Sequence, residues 1–148
     1  MDVQPQTQFS IFLVNKPGVL AQVTGALAKA KLNIVAMTLV DSQEHGVLRL
    51  VLENIPEARK VLGSLNLPMI ETEVLCLDLS NRPGALADVA TLLGENHVNI
   101  NYAYCTSGAP GGRTTGIFKV ADAKKAAHVL KPAATKHKES SGRRPGSH

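Results

Sequence analysis

The sequence predicts an α+β fold: two tandem ferredoxin-like βαββαβ units, antiparallel sheets with helices on one face, the second unit lacking its own last strand. Three observations lead there. The stretch NKPGVLAQV, Asn15 to Val23, returns as NRPGALADV, Asn81 to Val89, 66 residues later. LNI at 32–34 and VNI at 98–100 keep the same interval, as do Gly46 and Gly112. Between these landmarks apolar residues first alternate and then recur at helical spacing, in the same order in both halves.

The elements follow in turn. Residues 8–14 place Phe9, Ile11 and Leu13 on one face, and 74–80 do the same with Leu75, Leu77 and Leu79, so both read as strands. Pro17-Gly18 and Pro83-Gly84 end them, because proline lacks a donor and glycine accepts unusual dihedrals. Helices are expected from Val19 to Lys31, with Leu20, Val23, Leu27 and Ala30 inward, and in the second half with Leu86, Val89, Ala90 and Leu93 inward. Hairpins are expected from 33–40 with 47–53, turning at Ser42 to Gly46, and from 99–106 with 114–120, across the longer SGAPGGR. Further helices are expected at about 56–65 and 123–130. Residues 69–80 must close one unit and open the next, which predicts one long, or gently broken, strand serving both roles. After residue 131 no apolar alternation remains, hence the missing strand. The division expected is 1–72 for unit one, 73–131 for unit two, and 132–148 for a basic tail without regular structure.

The charge supports that division. Of a net +4, the last 18 residues carry all of it, and the remaining 130 hold 11 basic and 11 acidic side chains. The folded part is therefore neutral, and aromatics are only 3% of the chain, which speaks against a nucleic-acid surface. Cys76 and Cys105 lie in apolar strand-like runs and are expected to be buried, reduced thiols. No apolar run approaches a membrane span, no signal region opens the chain, and a cytoplasmic protein without membrane contact is expected. The five histidines show no metal-ligand spacing and SGAPGGRTTG lacks the ending of a phosphate loop, so no catalytic residues, metal site or cofactor are expected.

The repeated loop carries the chemistry. It ends a strand and starts a helix, where the first amides lack internal partners and the helix dipole favours an anion. Gly18 and Gly84 let a ligand approach the backbone. Asn15 and Asn81 offer donors and acceptors, and Asn33 and Asn99 open the strand after the helix. Amides for a carboxylate and carbonyl oxygens for an ammonium suit the zwitterion of an amino acid. Each residue also has a local role, since Asn before Pro-Gly forms turns unaided. Leu20, Leu86, Ile34 and Ile100 are expected in the core.

Asn-Lys/Arg-Pro-Gly-x-Leu, followed about a dozen residues later by Asn-Ile, resembles the ACT domain family, twice over roughly residues 8–130. The resemblance implies units paired side by side, with amino-acid binding where units meet. It implies ligand contact at Asn15, Pro17, Gly18, Val19, Leu20, Asn33 and Ile34, and at Asn81, Gly84, Ala85, Leu86, Asn99 and Ile100. Some serine-binding members carry a histidine two residues before the loop asparagine; Leu13 and Leu79 stand there, which argues against serine. Val35, Met37 and Tyr102 favour an apolar side chain. Two readings follow: a regulatory protein sensing a small amino acid, as a homodimer or larger homo-oligomer, or a ligand-free assembly module or regulatory subunit of an amino-acid biosynthetic enzyme.

Overall fold

The computed structural model describes residues 2–14, 17–41, 45–106 and 113–131. Asn15, most of the expected first hairpin turn, Gly112 with the rest of 107–112, and the basic tail 132–148 lie outside the described residues. The elements are β1 (Val3–Val14), α1 (Val19–Lys29), β2 (Ile34–Asp41), β3 (His45–Leu52), α2 (Ile55–Gly63), β4 (Met69–Ser80), α3 (Ala85–Glu95), β5 (Ile100–Thr106) and β6 (Arg113–Val120). A last helix, α4, covers 123–131. The expected α+β order is present, and residues 69–80 form a single 12-residue strand.

By their packing, the described residues form two compact units, one of 7–73 and one of 74–131 together with 2–6. In the N-terminal unit the strand order is β2-β3-β1-β4. Phe9, Ile11 and Leu13 meet Leu48, Leu50 and Leu52 of β3, Val23 and Leu27 of α1, and Ala58 and Leu62 of α2 in one core. All of these strand residues lie on the face the two helices cover. In the C-terminal unit the order is β5-β6-β4-β1. Its core joins Leu75, Leu77 and Leu79 to Val89 and Leu93 of α3, Phe118 and Val120 of β6, and Ala126 and Leu130 of α4.

The start of β1 lies beside β4 in the second unit, where a last strand of its own would stand; whether a strand follows α4 lies outside the described residues. Val3 is 8% exposed within the C-terminal core, and the Asp78 amide donates to the Asp2 carbonyl at 3.0 Å. The linear division at 72 puts residues 2–6 in the first unit; their contacts put them in the second. Nothing in VQPQT advertises a strand, yet Pro5 fits. The even-numbered residues of β1 bond toward β4, as the Asp2 carbonyl and the Phe12 amide (to the Pro68 carbonyl, 2.9 Å) show. The nitrogen of Pro5 therefore faces the other side, where the register with β3 begins only at Gln8.

The 66-residue period extends to the backbone. Lys31 and His97 both have φ 58°, and Gly18 and Gly84 have φ 90° and 89°. Leu32 donates to the Leu27 carbonyl and Val98 to the Leu93 carbonyl, each at 2.9 Å. Lys31 donates to Ala28 and His97 to Gly94, at 3.0 and 3.1 Å. These are matching Schellman endings, each with a left-handed residue just past the helix and an apolar clasp behind it.

Two expectations of burial are corrected. Leu86 is 49% exposed and Ala90 is exposed, because the buried stripe of α3 runs through Ala85, Val89 and Leu93, about 100° away. Cys105 is exposed on the edge strand β5, whose alternate residues face outward, whereas Cys76 is half-buried. Burial, with the nearby charge of Asp78, pushes the Cys76 thiol above its ordinary range. No helix among the described residues is long and apolar enough to cross a membrane.

Candidate functional site

The four helix starts differ in kind. Asn54 caps α2, its side-chain oxygen accepting from the Glu57 amide at 3.2 Å. Asp122 caps α4, accepting from the Lys125 amide at 3.1 Å. These are ordinary side-chain caps. The helices after the repeated loops have none: Gly18 and Gly84 stand at the cap in left-handed conformation, without a side-chain bond. The first intrahelical bonds are Gln22 to Gly18 and Asp88 to Gly84, both 2.9 Å. Among the described residues, the amides of Val19, Leu20 and Ala21 find no acceptor. A β-carbon placed on Gly18 would meet nothing within 4 Å among the described residues.

The second loop is partly filled by its own side chains. Ala85 donates to the Arg82 carbonyl at 3.3 Å. The Arg82 guanidinium bonds the Pro83 carbonyl at 3.1 Å and pairs with Asp88 at 2.9 Å. It lies 3.5 Å from where a Gly84 β-carbon would be. Asp88 lies in the first turn of α3, where its charge complements the dipole; α1 has no acidic residue there. The amides of Leu86 and Ala87 remain without an acceptor among the described residues. Sequence reading missed this pair, although a basic residue before Pro-Gly with an acid four residues past the glycine was a visible signal.

The predicted residues fall into two groups. Pro17 and Gly18 are exposed at the loop, and Val19 and Leu20, behind it, pack on the N-terminal core. Asn81 and Gly84 are exposed, Ala85 is buried, and Leu86 projects outward. Asn33 and Asn99 lie elsewhere. Leu13, just before the first loop, pairs with Gly46, whereas Ile34, just after Asn33, pairs with Leu52 at the far end of β3. Six residues of strand separate the two levels, about 20 Å. Asn33 is exposed there and donates to Glu53 at 3.1 Å. Asn99 reaches Asn101 at 3.5 Å, and its carbonyl accepts from Ala121 at 3.0 Å. Ile34 and Ile100 are half-buried against their cores, as expected. Thus the first loop and Asn33 of the same unit stand too far apart to share one small ligand. Arg113, by contrast, pairs with Ser80 and so places its backbone beside the second loop.

The sequence pattern of the ACT domain pair matches residues 4–138. The chain belongs to the ACT family. A crystal structure of protein BT0572 from Bacteroides thetaiotaomicron superimposes with a TM-score of 0.82 at 30% identity, covering 89% of this chain and 90% of that one. The regulatory subunit of aspartate kinase from Thermus thermophilus, in its ligand-free form, has a TM-score of 0.64 at 15% identity, covering 90% and 97%. That of Thermus flavus has 0.58 at 16%, covering 90% and 97%. At those lower identities the likeness is one of fold. Comparison with curated proteins finds no match.

Proposed function

We propose that this tandem ACT protein is a non-catalytic regulator that binds a small amino acid at its Pro-Gly loops and thereby shifts an assembly or a partner enzyme. The observation that carries the reading is the contrast among helix starts. Asn54 and Asp122 close theirs with a side chain, while α1 starts on Gly18 with no side-chain cap, and its first three amides find no acceptor among the described residues. Such a start favours a carboxylate. In this reading Asn15, Pro17, Gly18, Val19 and Leu20 hold the ligand, with Asn33 and Ile34 contributed by another copy of the chain, since their own lie about 20 Å away. Asn81, Gly84, Ala85 and Leu86, with Asn99 and Ile100, form the equivalent second set.

Assembly into a homo-oligomer is part of the proposal. β2 is an edge strand carrying Met37, Leu39 and Val40 at 40–47% exposure, a combination that monomers avoid. The resemblance in fold to aspartate kinase regulatory subunits supports an enzyme of amino-acid biosynthesis as the regulated partner. Free thiols at Cys76 and Cys105 agree with a reducing, cytoplasmic setting.

A thermal-shift screen of the twenty amino acids tests the reading. A ligand at 100 times its Kd stabilises by about 2.7 kcal/mol, enough to move a melting curve by several degrees. A flat response across all twenty would leave the assembly-module reading, which the closed Arg82–Asp88 arrangement at the second loop favours locally.

A further inference from the structure

We propose that the exposed face of α4 docks an acidic surface of a partner protein. Four residues of this helix are exposed, Lys124, Lys125, His128 and Lys131, and none of its nine residues is acidic. The strip they form spans about 10 Å of helix axis. Ala126 and Leu130, on the other side, are buried in the C-terminal core and hold that face outward. The acid just before the helix, Asp122, is engaged as its cap, accepting from the Lys125 amide at 3.1 Å. The sequence continues the basic run with Lys136, Lys138, Arg143 and Arg144 against Glu139. Residues 123–148 hold seven Lys/Arg and one acid, and residues 1–122 hold nine and eleven, so the net +4 divides into +6 and −2.

Helix stability does not account for this charge. A helix start favours acids and disfavours cations. Among the described residues, α4 alone has basic side chains in its first turn; α2 has Glu57 there and α3 has Asp88. The duplication sharpens the contrast. The Glu57 amide donates to the Asn54 side chain and the Lys125 amide to that of Asp122, at 3.2 and 3.1 Å. Ala58 and Leu62 match Ala126 and Leu130 in burial. Cap and core are kept, while the exposed charge between them changes sign. On α2, moreover, Arg59 is held by Glu71 at 2.8 Å, which leaves a face of mixed charge.

The chemistry of the occupant follows from what accompanies the lysines. The exposed residues of α4 include no large apolar side chain of the kind that inserts into a membrane. Residues 123–148 contain no aromatic side chain to stack on a base and no Asn or Gln to read one. A nucleic-acid duplex, with a charge about every 1.7 Å of axis, runs well past so short a strip and meets a remainder of net negative charge. A local acidic patch on a folded protein matches the strip in length and is steered to it by the opposite charge. That the partner is a regulated enzyme rests on the function proposed above; the basic face does not.

The test uses the full chain and a helical peptide with glutamates along one face; a peptide of the same composition, with its glutamates scattered around the helix, is the control. The one-faced peptide is expected to bind at low ionic strength, to shift the NMR signals of the α4 amides, and to be released by salt. Lys124→Glu with Lys125→Glu should weaken it about ten-fold or more, since an exposed ion pair is worth up to about five-fold in Kd. The same double variant should melt about one to several degrees higher, because it takes cations away from a helix start; lost binding is then not lost folding. Lys29→Glu with Lys60→Glu makes an equal change of charge at exposed lysines of α1 and α2 and should leave binding unchanged. Equal losses with both double variants, equal binding of both peptides, or no binding at all overturns the proposal. So does tighter binding of a DNA duplex or a phosphatidylserine vesicle at the same salt. Docking through α4 in a protein that ignores every amino acid keeps the surface and loses the sensor.

Discussion

At the first loop, α1 starts on Gly18 with no acidic side chain in its first turn and, among the described residues, nothing against the cap. At the second, α3 starts on Gly84 with the same φ within a degree, but Arg82 folds over it and Asp88 supplies a local negative charge. Duplication has kept the backbone and changed the electrostatics. Backbone geometry is set by glycine and by core packing, and both repeats retain those. Charge at an exposed helix start is set by single surface residues, Gln22 in one repeat and Asp88 in the other, which change at little cost to stability.

The largest effects test whether the cores remain equivalent. Leu27 and Leu93 occupy matching Schellman positions at 1% and 0% exposure. Leu27→Ala and Leu93→Ala should each cost about 2–5 kcal/mol in urea denaturation; a difference between them of more than about 2 kcal/mol would break the equivalence. Next come the glycines. Gly18→Ala and Gly84→Ala force a β-carbon into left-handed backbone, and each should cost about 1–2 kcal/mol by the same measurement. Equal losses with unequal effects on an amino-acid-induced melting shift would separate scaffold from site.

The same strain runs the other way past the helix ends. Lys31→Gly and His97→Gly relieve non-glycine residues at φ 58° and should raise stability by about 1 kcal/mol each. Smaller still is the charge exchange. Gln22→Asp should cost or gain only a few tenths of a kcal/mol, yet it should weaken any carboxylate response at the first loop. Asp88→Asn should bring the second loop toward the first. If neither alters the thermal-shift profile, the difference in charge between the loops has no bearing on binding. Last, the thiols should separate without any change in stability. Cys105 should react first with a thiol reagent, and Cys76, whose thiol is raised by burial, should lag until the pH is well above the usual thiol range.

Much of this was legible before the structure. Phe9, Ile11, Leu13 and Leu75, Leu77, Leu79 alternate cleanly because one face of each strand is buried, and the period located every helix and hairpin. The single strand at 69–80 followed from having no residues left for a turn. What escaped the sequence was non-local. VQPQT has one valine among polar residues and a proline, so nothing local marks it as a strand; its place is decided by β4, far along the chain. Leu86 was misplaced because a helix with apolar residues at 85, 86, 89, 90, 92 and 93 admits two stripes, and only packing chooses between them. The site was legible as a loop but not as an assembled pocket. Gly18 and Asn33 read as neighbours in the family pattern, while a whole strand length stands between them within one unit.

Pro5 has one more consequence. The part of β1 that completes the C-terminal unit carries a residue with no hydrogen to offer on its outer side. An extended chain arriving along that border finds its carbonyl oxygen unanswered at this point, so stacking of molecule upon molecule into fibres is discouraged there. Replacing the proline would remove a built-in stop to polymerisation.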